Sequence, residues 1–198
     1  MKTDFTLRSG GQTGVDRGMF DAALNHVENN PKVISKEYEE ENSLLSVKFI
    51  NGVVWKITGW CPKGRKAKDD KIDPKYPLQE TPTSEYKERT EWNVRDADAT
   101  LILLLSSAKP ELDGTSFTIE MAKKHEKELK LIYLDTNTRE KNAKEAFGWI
   151  IKKQIKSLNI GGPQENNCPG VYGATFEFVS CLLKKLEELL LLINKPKL

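Results

Sequence analysis

The run from Ala99 to Leu105, with the sequence ATLILLL, constrains the fold of this chain more than any other segment. It has the length of a strand, is apolar except for Thr100, and shows no alternation with polar side chains. Such runs are typical of a central strand in a parallel sheet, because helices cover both faces of that sheet. The run therefore predicts an α/β protein built around a buried parallel strand.

The start of the chain predicts a short strand, Phe5–Arg8, a glycine-rich loop and a helix. The helix is indicated by Val15, Met19, Ala23 and Val27, which recur every four residues on one face. Glycine allows a tight turn and a close approach to a ligand, and a helix N-terminus offers amide donors and partial positive charge. The loop therefore predicts a phosphate site, although a simple strand-to-helix turn has the same pattern. The loop residues are Ser9, Gly10, Gly11, Gln12, Thr13 and Gly14.

The remaining pattern alternates strands with helices. Helices are predicted at 84–95, from the Asp113-Gly114-Thr115 turn to residue 124, at 143–157 and at 174–193, and short buried strands at 131–134 and 158–160. Parallel strands need crossover connections of this kind, so we expect one domain over residues 1–198 with helices on both faces of a mostly parallel sheet.

Residues 29–57 interrupt this alternation. Residues 29–41 are polar and acidic and predict an exposed loop or a frayed helix. Beyond them, two apolar segments flank Asn51-Gly52, a pair that favours a two-residue β-hairpin turn. We interpret 29–57 as an insertion that carries a β-hairpin.

Composition narrows the class of protein. With 198 residues, 31 Lys and Arg, and 29 Asp and Glu, the net charge is +2, too balanced for a nucleic-acid or lipid-surface partner. The opening sequence lacks a signal peptide's apolar stretch, and no apolar run reaches the roughly 20 residues of a membrane span. Three scattered cysteines and two histidines predict neither disulfides nor a metal site. We expect a cytoplasmic protein.

A second wall of the ligand site is predicted where Asp113, Gly114, Thr115 and Thr118 follow the buried strand. Open parallel sheets bind ligands beyond the carboxyl ends of their strands. Thr115 or Ser116 would also serve as an ordinary helix cap, so the structural alternative stays open.

Charged residues supply further candidates. Asp16 and Arg17 lie in the first helical turn, where Asp16 either stabilises the helix start or accepts a ligand hydrogen bond, and Arg17 is able to bind a phosphate. The basic residues Lys63 and Arg65 belong either to the ligand site or to the solvated surface.

The segment 89–98 concentrates charge around an aromatic residue. Arg89, Trp92 and Asn93 either face the ligand or belong to an ordinary helix, in which Glu91 and Arg95 would pair four residues apart.

The last predicted helix is apolar nearly all round. Leu182, Leu183, Leu186 and the block 189–193 form more than one core-facing stripe, so we predict a subunit contact and a homo-oligomer.

Six motifs in order resemble the molybdenum-carrier family, which is related to YpsA and to the SLOG group of Rossmann-like ligand-binding proteins. They are SGGQTGVDRG, GWCPKGR, YPLQET, YKERTEWNVRDADAT, DGTSFT and LNIGGP. The resemblance implies a Rossmann-like three-layer fold, in which the Gly10-Gly11 and Gly114-Thr115 loops line a nucleotide-type pocket. The family name implies a carrier of molybdenum cofactor, a pterin with a phosphate.

Related LOG proteins cleave nucleoside monophosphates at the N-glycosidic bond, using an arginine and a glutamate near a P-G-G-x-G-T-x-x-E motif. Here Thr118-Ile119-Glu120 matches that motif only loosely. Gln164 follows Gly162-Pro163, where family members commonly have an arginine.

Three hypotheses follow. The first is a carrier that binds molybdenum cofactor or a nucleotide phosphate without an assembled catalytic set. The second is a LOG-like hydrolase, with Asp16, Arg89, Glu91 and Glu120 as candidate catalytic residues. The third is a nucleotide-sensing interaction protein whose C-terminal helix transmits the ligand state.

Overall fold

The structure, a computed structural model, describes residues 4–41, 43–50, 52–108, 114–134 and 138–193, and of residues 190–193 only the backbone. The helices in this part of the chain are α1 (Val15–Glu28), α2 (Tyr86–Arg95), α3 (Thr115–Lys124), α4 (Arg139–Lys152) and α5 (Val171–Ile193). The strands are β1 (Phe5–Arg8), β2 (Val33–Glu39), β3 (Leu44–Phe49), β4 (Val54–Thr58), β5 (Trp60–Cys61), β6 (Lys66–Ala67), β7 (Asp70–Lys71), β8 (Gln79–Glu80), β9 (Ala99–Leu104), β10 (Glu128–Tyr133) and β11 (Ser157–Gly161).

The described residues form a seven-stranded sheet in the order β10-β9-β11-β1-β4-β3-β2. The first five strands of that order run parallel, and β3 is antiparallel to both β4 and β2. The four shortest strands, β5 to β8, pair in two small sheets outside it. The expected mostly parallel, Rossmann-like α/β fold is confirmed.

The predicted central strand is confirmed as β9, which lies between β10 and β11. All six of its residues are buried. Leu101 and Leu103 join the core that also contains residues of α1 and α5, whereas the alternate Ile102 and Leu104 face the other side of the sheet. Helices therefore cover both faces, which is why the sequence of this strand is continuously apolar.

The predicted loop or frayed helix at 29–41 is wrong, because residues 33–39 form β2 at one edge of the sheet. This strand pairs antiparallel with β3 and is mostly exposed, so its polar composition fits an edge strand. Local composition does not reveal such a strand, because an edge strand with mostly exposed side chains needs no apolar pattern.

The predicted hairpin joins β3 to β4, but its loop has three residues rather than two. Phe49 donates its amide to the Val53 carbonyl at 2.9 Å, and Gly52 adopts a φ of +78°. Asn51 lies outside the described residues. The hairpin is part of the main sheet, since β4 pairs with β1.

Several predicted boundaries and environments also differ. The strand expected to be buried at 131–134 is β10, an edge strand with Leu131 and Tyr133 about half exposed. Helix α4 ends at Lys152 rather than at 157, because β11 begins at Ser157. Helix α5 begins at Val171, three residues before the predicted start.

Helix α5 packs on α1 and α4 within the same chain. Leu182, Leu183 and Leu186 are buried in the core, so their apolar character does not indicate a subunit contact. The side chains of the block 190–193 lie outside the described residues. No helix in the described part of the chain is both long and apolar enough to cross a membrane.

Candidate functional site

A polar cleft opens where β1, β9 and β11 end, at the carboxyl edge of the parallel sheet. It consists of an inner chamber of about 40 Å³ and an outer chamber of about 470 Å³. The inner chamber is lined by Gly10, Gln12, Asp16, Arg89, Thr90, Asn93, Gly114, Thr118, Asn159, Ile160, Gly161, Gly162 and Gln164. The outer chamber is lined by Gln12, Tyr86, Lys87, Arg89, Thr90, Gly114, Ser116, Phe117, Glu120 and Gln164. Because five residues line both chambers, the two are parts of one cleft.

The dimensions indicate what this cleft is able to hold. The inner chamber has room for roughly three water-sized groups, taking one water as about 10–15 Å³. The outer chamber lies within the range of roughly 300–1,000 Å³ that is usual for small-molecule pockets. A ligand of nucleotide size would therefore occupy the outer chamber and extend one small polar group inward.

The glycine-rich loop after β1 is held against the loop after β11. Ser9 donates its hydroxyl to the Ile160 carbonyl at 2.6 Å, and Val15 donates its amide to the Pro163 carbonyl at 3.2 Å. Gly14 has a φ of +80°, and a Cβ there would lie 2.5 Å from the Pro163 oxygen. The glycine at position 14 is thus explained by packing between the two loops.

Several amides of this loop already have partners inside the protein. Gln12 donates its amide to the Asp16 carboxylate at 3.1 Å, and Thr13 donates to the Gln12 side chain at 3.0 Å. The same Gln12 oxygen accepts from the Lys68 amide at 3.1 Å. A bound anion would therefore depend on other donors of the cleft at least as much as on this loop.

Asp16 and Arg89 form the charged centre of the cleft. Arg89 Nη1 lies 3.3 Å from Asp16 Oδ2, and their side chains are only 16% and 6% exposed. Burial raises the pKa of Asp16, and the Arg89 guanidinium opposes that shift. A Cβ on Gly10 would lie 1.9 Å from Arg89 Nη1, so the guanidinium crosses this position only because residue 10 is glycine.

Arg89 reaches the cleft because α2 is anchored to β5. Asn93 donates its side-chain amide to the Trp60 carbonyl at 2.9 Å and accepts from the Trp60 amide at 2.9 Å. The same Asn93 amide donates to the Arg89 carbonyl, one helical turn earlier. Asn93 lines the inner chamber, but its hydrogen-bonding groups already hold the backbone.

Trp92 does not line either chamber. Its ring meets that of Trp60 edge to face at 4.7 Å, and the Arg95 guanidinium lies over it at 4.7 Å. Asp96 accepts a hydrogen bond from the Trp60 indole at 2.8 Å. The aromatic residue of this segment therefore packs at the junction of α2 and β5.

The start of α3, where a second wall of the ligand site was predicted, lines one side of the cleft. Gly114 and Thr118 line the inner chamber, Ser116 lines the outer one, and Thr115 is buried just behind them. The Thr118 hydroxyl donates to the Gly114 carbonyl at 3.1 Å. Asp113 lies outside the described residues.

Three charged candidates have other partners. Arg17 binds both oxygens of Asp69, at 2.6 and 2.8 Å. Arg65 donates to four backbone carbonyls between residues 72 and 78 and so holds that loop together. Glu91 pairs with Lys124 and His125, whose hydrogen bonds lower its pKa. Neither these three residues nor Lys63 line the chambers.

The cleft also contains residues that were not predicted to form the site, although Gln164 was noted for standing where family members have an arginine. They are Tyr86, Lys87, Thr90, Ser116, Phe117, Asn159 and Gln164. Most of them belong to the six motifs, and membership of a motif was the signal in the sequence that could have identified them. Only the fold brings these motifs to one edge of the sheet. In the described part of the chain, no group of three His, Cys, Asp or Glu side chains is placed to hold a metal ion.

A mostly parallel sheet with helices on both faces and a cleft at its carboxyl edge defines this protein as a Rossmann-like α/β protein. The model of the circularly permutated YpsA SLOG family matches residues 7–183. The chain belongs to that family, as its six motifs predicted.

A solved structure from Syntrophus aciditrophicus SB, named "Putative molybdenum carrier protein", is similar to this chain. The two are 32% identical with a TM-score of 0.71, and the match covers 92% of this chain and 96% of the other. A search of curated protein sequences found no match.

Proposed function

We propose that this protein binds a phosphate-bearing small molecule in the cleft, with the phosphate at Arg89 and the rest of the ligand in the outer chamber. The observation that carries the proposal is the position of the Arg89 guanidinium. It lines both chambers and is mostly shielded from water, where a charge-assisted hydrogen bond to an anion is strong. Its Nε is buried and has no hydrogen-bond partner among the described residues.

The surroundings of Arg89 favour the same class of ligand. The cleft lies between the first turns of α1 and α3, and helix N-termini attract anions. Lys87 adds a second cation to the outer chamber. Tyr86 and Phe117 in the outer chamber provide apolar surface for a planar ring such as a purine or a pterin.

Two ligands are natural candidates within this class. A nucleoside monophosphate combines a ring of suitable size with one phosphate, and molybdenum cofactor combines a pterin with one phosphate. The name of the solved relative motivates the second candidate, in which case this protein would act as a carrier. The chemistry of the cleft supports either one.

Isothermal titration of the full chain with AMP, and separately with molybdenum cofactor, tests the proposal. We expect saturable binding of at least one of them at one site per chain. Arg89→Met should weaken it at least tenfold, because a hydrogen bond to a charged group contributes about 1.5–3 kcal/mol. Arg95→Met is the matched control on the same helix, outside both chambers, and should bind like the wild type. Failure of both ligands to bind would refute the proposal.

A second candidate function is hydrolysis of the N-glycosidic bond of a nucleotide. The observation that favours it is that Asp16 and Glu120 line the same cleft as Arg89, so an acid and a phosphate-binding cation would contact one ligand. Incubation with AMP followed by chromatography for free adenine tests it. Release of adenine by the wild type but not by Glu120→Gln would support hydrolysis. AMP that stays intact would refute hydrolysis and leave binding as the proposed function.

A further inference from the structure

Among the described residues that line the inner chamber, Asp16 is the one that carries a carboxyl group. It accepts from the Gln12 amide at 3.1 Å, and Arg89 of α2 is the cation closest to it at 3.3 Å. Arg17, on the same helix as Asp16, is the other cation that acts on it, but both oxygens of Asp69 bind the Arg17 guanidinium. Arg89 is therefore the main counter-charge of this buried carboxylate.

The pair between Asp16 and Arg89 is loose. Its distance of 3.3 Å exceeds the roughly 2.7–2.9 Å of a strong charge-assisted hydrogen bond between nitrogen and oxygen. The contact involves one nitrogen of the guanidinium, and the buried Nε has no partner among the described residues. An anion that engages the guanidinium therefore competes with Asp16 for the same cation.

Competition for Arg89 has a consequence for the proton balance. With an anion at Arg89, two negative charges would share a small chamber in which the Asp16 and Arg89 side chains are mostly buried. Like charges in such a site disfavour joint ionisation, so one of the two groups takes a proton. Burial already raises the pKa of the Asp16 carboxyl group, so desolvation disfavours its ionised form in the chamber.

We propose that Asp16 takes up one proton from solvent when an anionic group binds Arg89, so that the cleft binds its anion together with a proton. The proton forms an O–H bond on the Asp16 carboxylate, and no other bond changes. The protonated carboxyl group is then able to donate a hydrogen bond to the anion instead of repelling it. Asp16 thereby acts as a binding residue that favours anions able to accept a hydrogen bond from its carboxyl group. This inference rests on the proposed function.

Titration calorimetry with AMP measures the uptake directly. At pH 7.5, the apparent binding enthalpy of the full chain is measured in buffers of different ionisation enthalpy, and the slope gives the protons taken up per AMP bound. We expect close to one proton for the wild type and close to zero for Asp16→Asn. Glu145→Gln, the same chemical change on an exposed residue of α4, should keep the wild-type uptake.

The pH profile gives a second reading. Binding linked to one proton weakens by up to about tenfold per pH unit above the pKa of the linked group. We expect AMP binding to the wild type to weaken as the pH rises, and we expect Asp16→Asn to lose most of this dependence. If that variant does not fold, the carboxyl ¹³C shift of Asp16 in the labelled wild type, measured with and without AMP, gives the protonation state.

The outcomes separate this inference from the proposed function. Saturable AMP binding without proton uptake, or with an Asp16 shift that stays that of a carboxylate, would overturn the inference alone. Uptake that persists in Asp16→Asn would place the proton on the phosphate and would also overturn it. Absence of any AMP binding would overturn both claims for this ligand.

Discussion

Replacement of Asn93 by alanine should destabilise the protein strongly, although Asn93 lines the cleft. The side chain is 2% exposed and makes three hydrogen bonds of 2.9 Å, two of them with the backbone amide and carbonyl of Trp60. Asn93→Ala would leave both Trp60 backbone groups without their partner. Each such group costs about 1–3 kcal/mol, so we expect a loss of about 2–6 kcal/mol in the free energy of unfolding.

Urea denaturation followed by tryptophan fluorescence measures this loss. A loss of about 2–6 kcal/mol is a large fraction of the roughly 5–15 kcal/mol that stabilises a typical domain. Asn166→Ala is the matched control, because this asparagine is exposed and the same change there should alter stability by less than about 0.5 kcal/mol.

The position of Arg89 provides a second readout of the Asn93→Ala variant. Since Asn93 fixes α2 to β5 one turn after Arg89, the folded variant should also bind AMP more weakly than the wild type. A destabilisation below about 1 kcal/mol, or one equal to that of Asn166→Ala, would refute the conclusion that Asn93 anchors the helix.

Three other predictions concern the cleft and the core. Gly10→Ala should displace the Arg89 guanidinium, because a Cβ there would lie 1.9 Å from Arg89 Nη1, and should weaken AMP binding at least tenfold in calorimetry; unchanged affinity would contradict this. Burial raises the pKa of Asp16 above its usual 3.8, so the folded protein favours the protonated carboxyl group. The stability that this preference contributes is fully present below pH 3.8 and is lost as the pH rises through the folded-state pKa. Urea denaturation at several pH values should therefore show Asp16→Asn gaining stability relative to the wild type with rising pH, by at most about 1.4 kcal/mol per pH unit, and a constant difference would contradict it. Leu182→Ala should cost about 2–5 kcal/mol in the same assay, whereas Lys184→Ala on the exposed face of α5 should cost less than about 0.5 kcal/mol; similar losses in both would contradict the assignment of α5 to the core.

The sequence predicted best those elements whose environment in the fold produces a local pattern of apolar residues. Burial on both faces makes β9 continuously apolar, and burial on one face gives α1 its four-residue repeat. Strand β2 shows no such pattern, because an edge strand exposes most of its side chains and is held mainly by backbone hydrogen bonds to its neighbour β3. Polar composition therefore led to the wrong prediction there.

The candidate site, too, could be predicted from the sequence only in part. Asp16 and Arg89 were both candidates from their local motifs, but their contact joins residues 73 positions apart and only the fold reveals it. Arg65 was a candidate because of its charge, yet its guanidinium holds four backbone carbonyls of a loop. Charge in a sequence identifies a possible anion contact, whereas the fold decides which partner the charge meets.

A crystal structure of the protein soaked with AMP, at ten times its measured dissociation constant, tests the central claim most directly. We predict density for the phosphate within about 3 Å of the Arg89 guanidinium, and density for the base in the outer chamber beside Tyr86 and Phe117. Phosphate density elsewhere on the chain, with the cleft occupied only by water, would contradict the account.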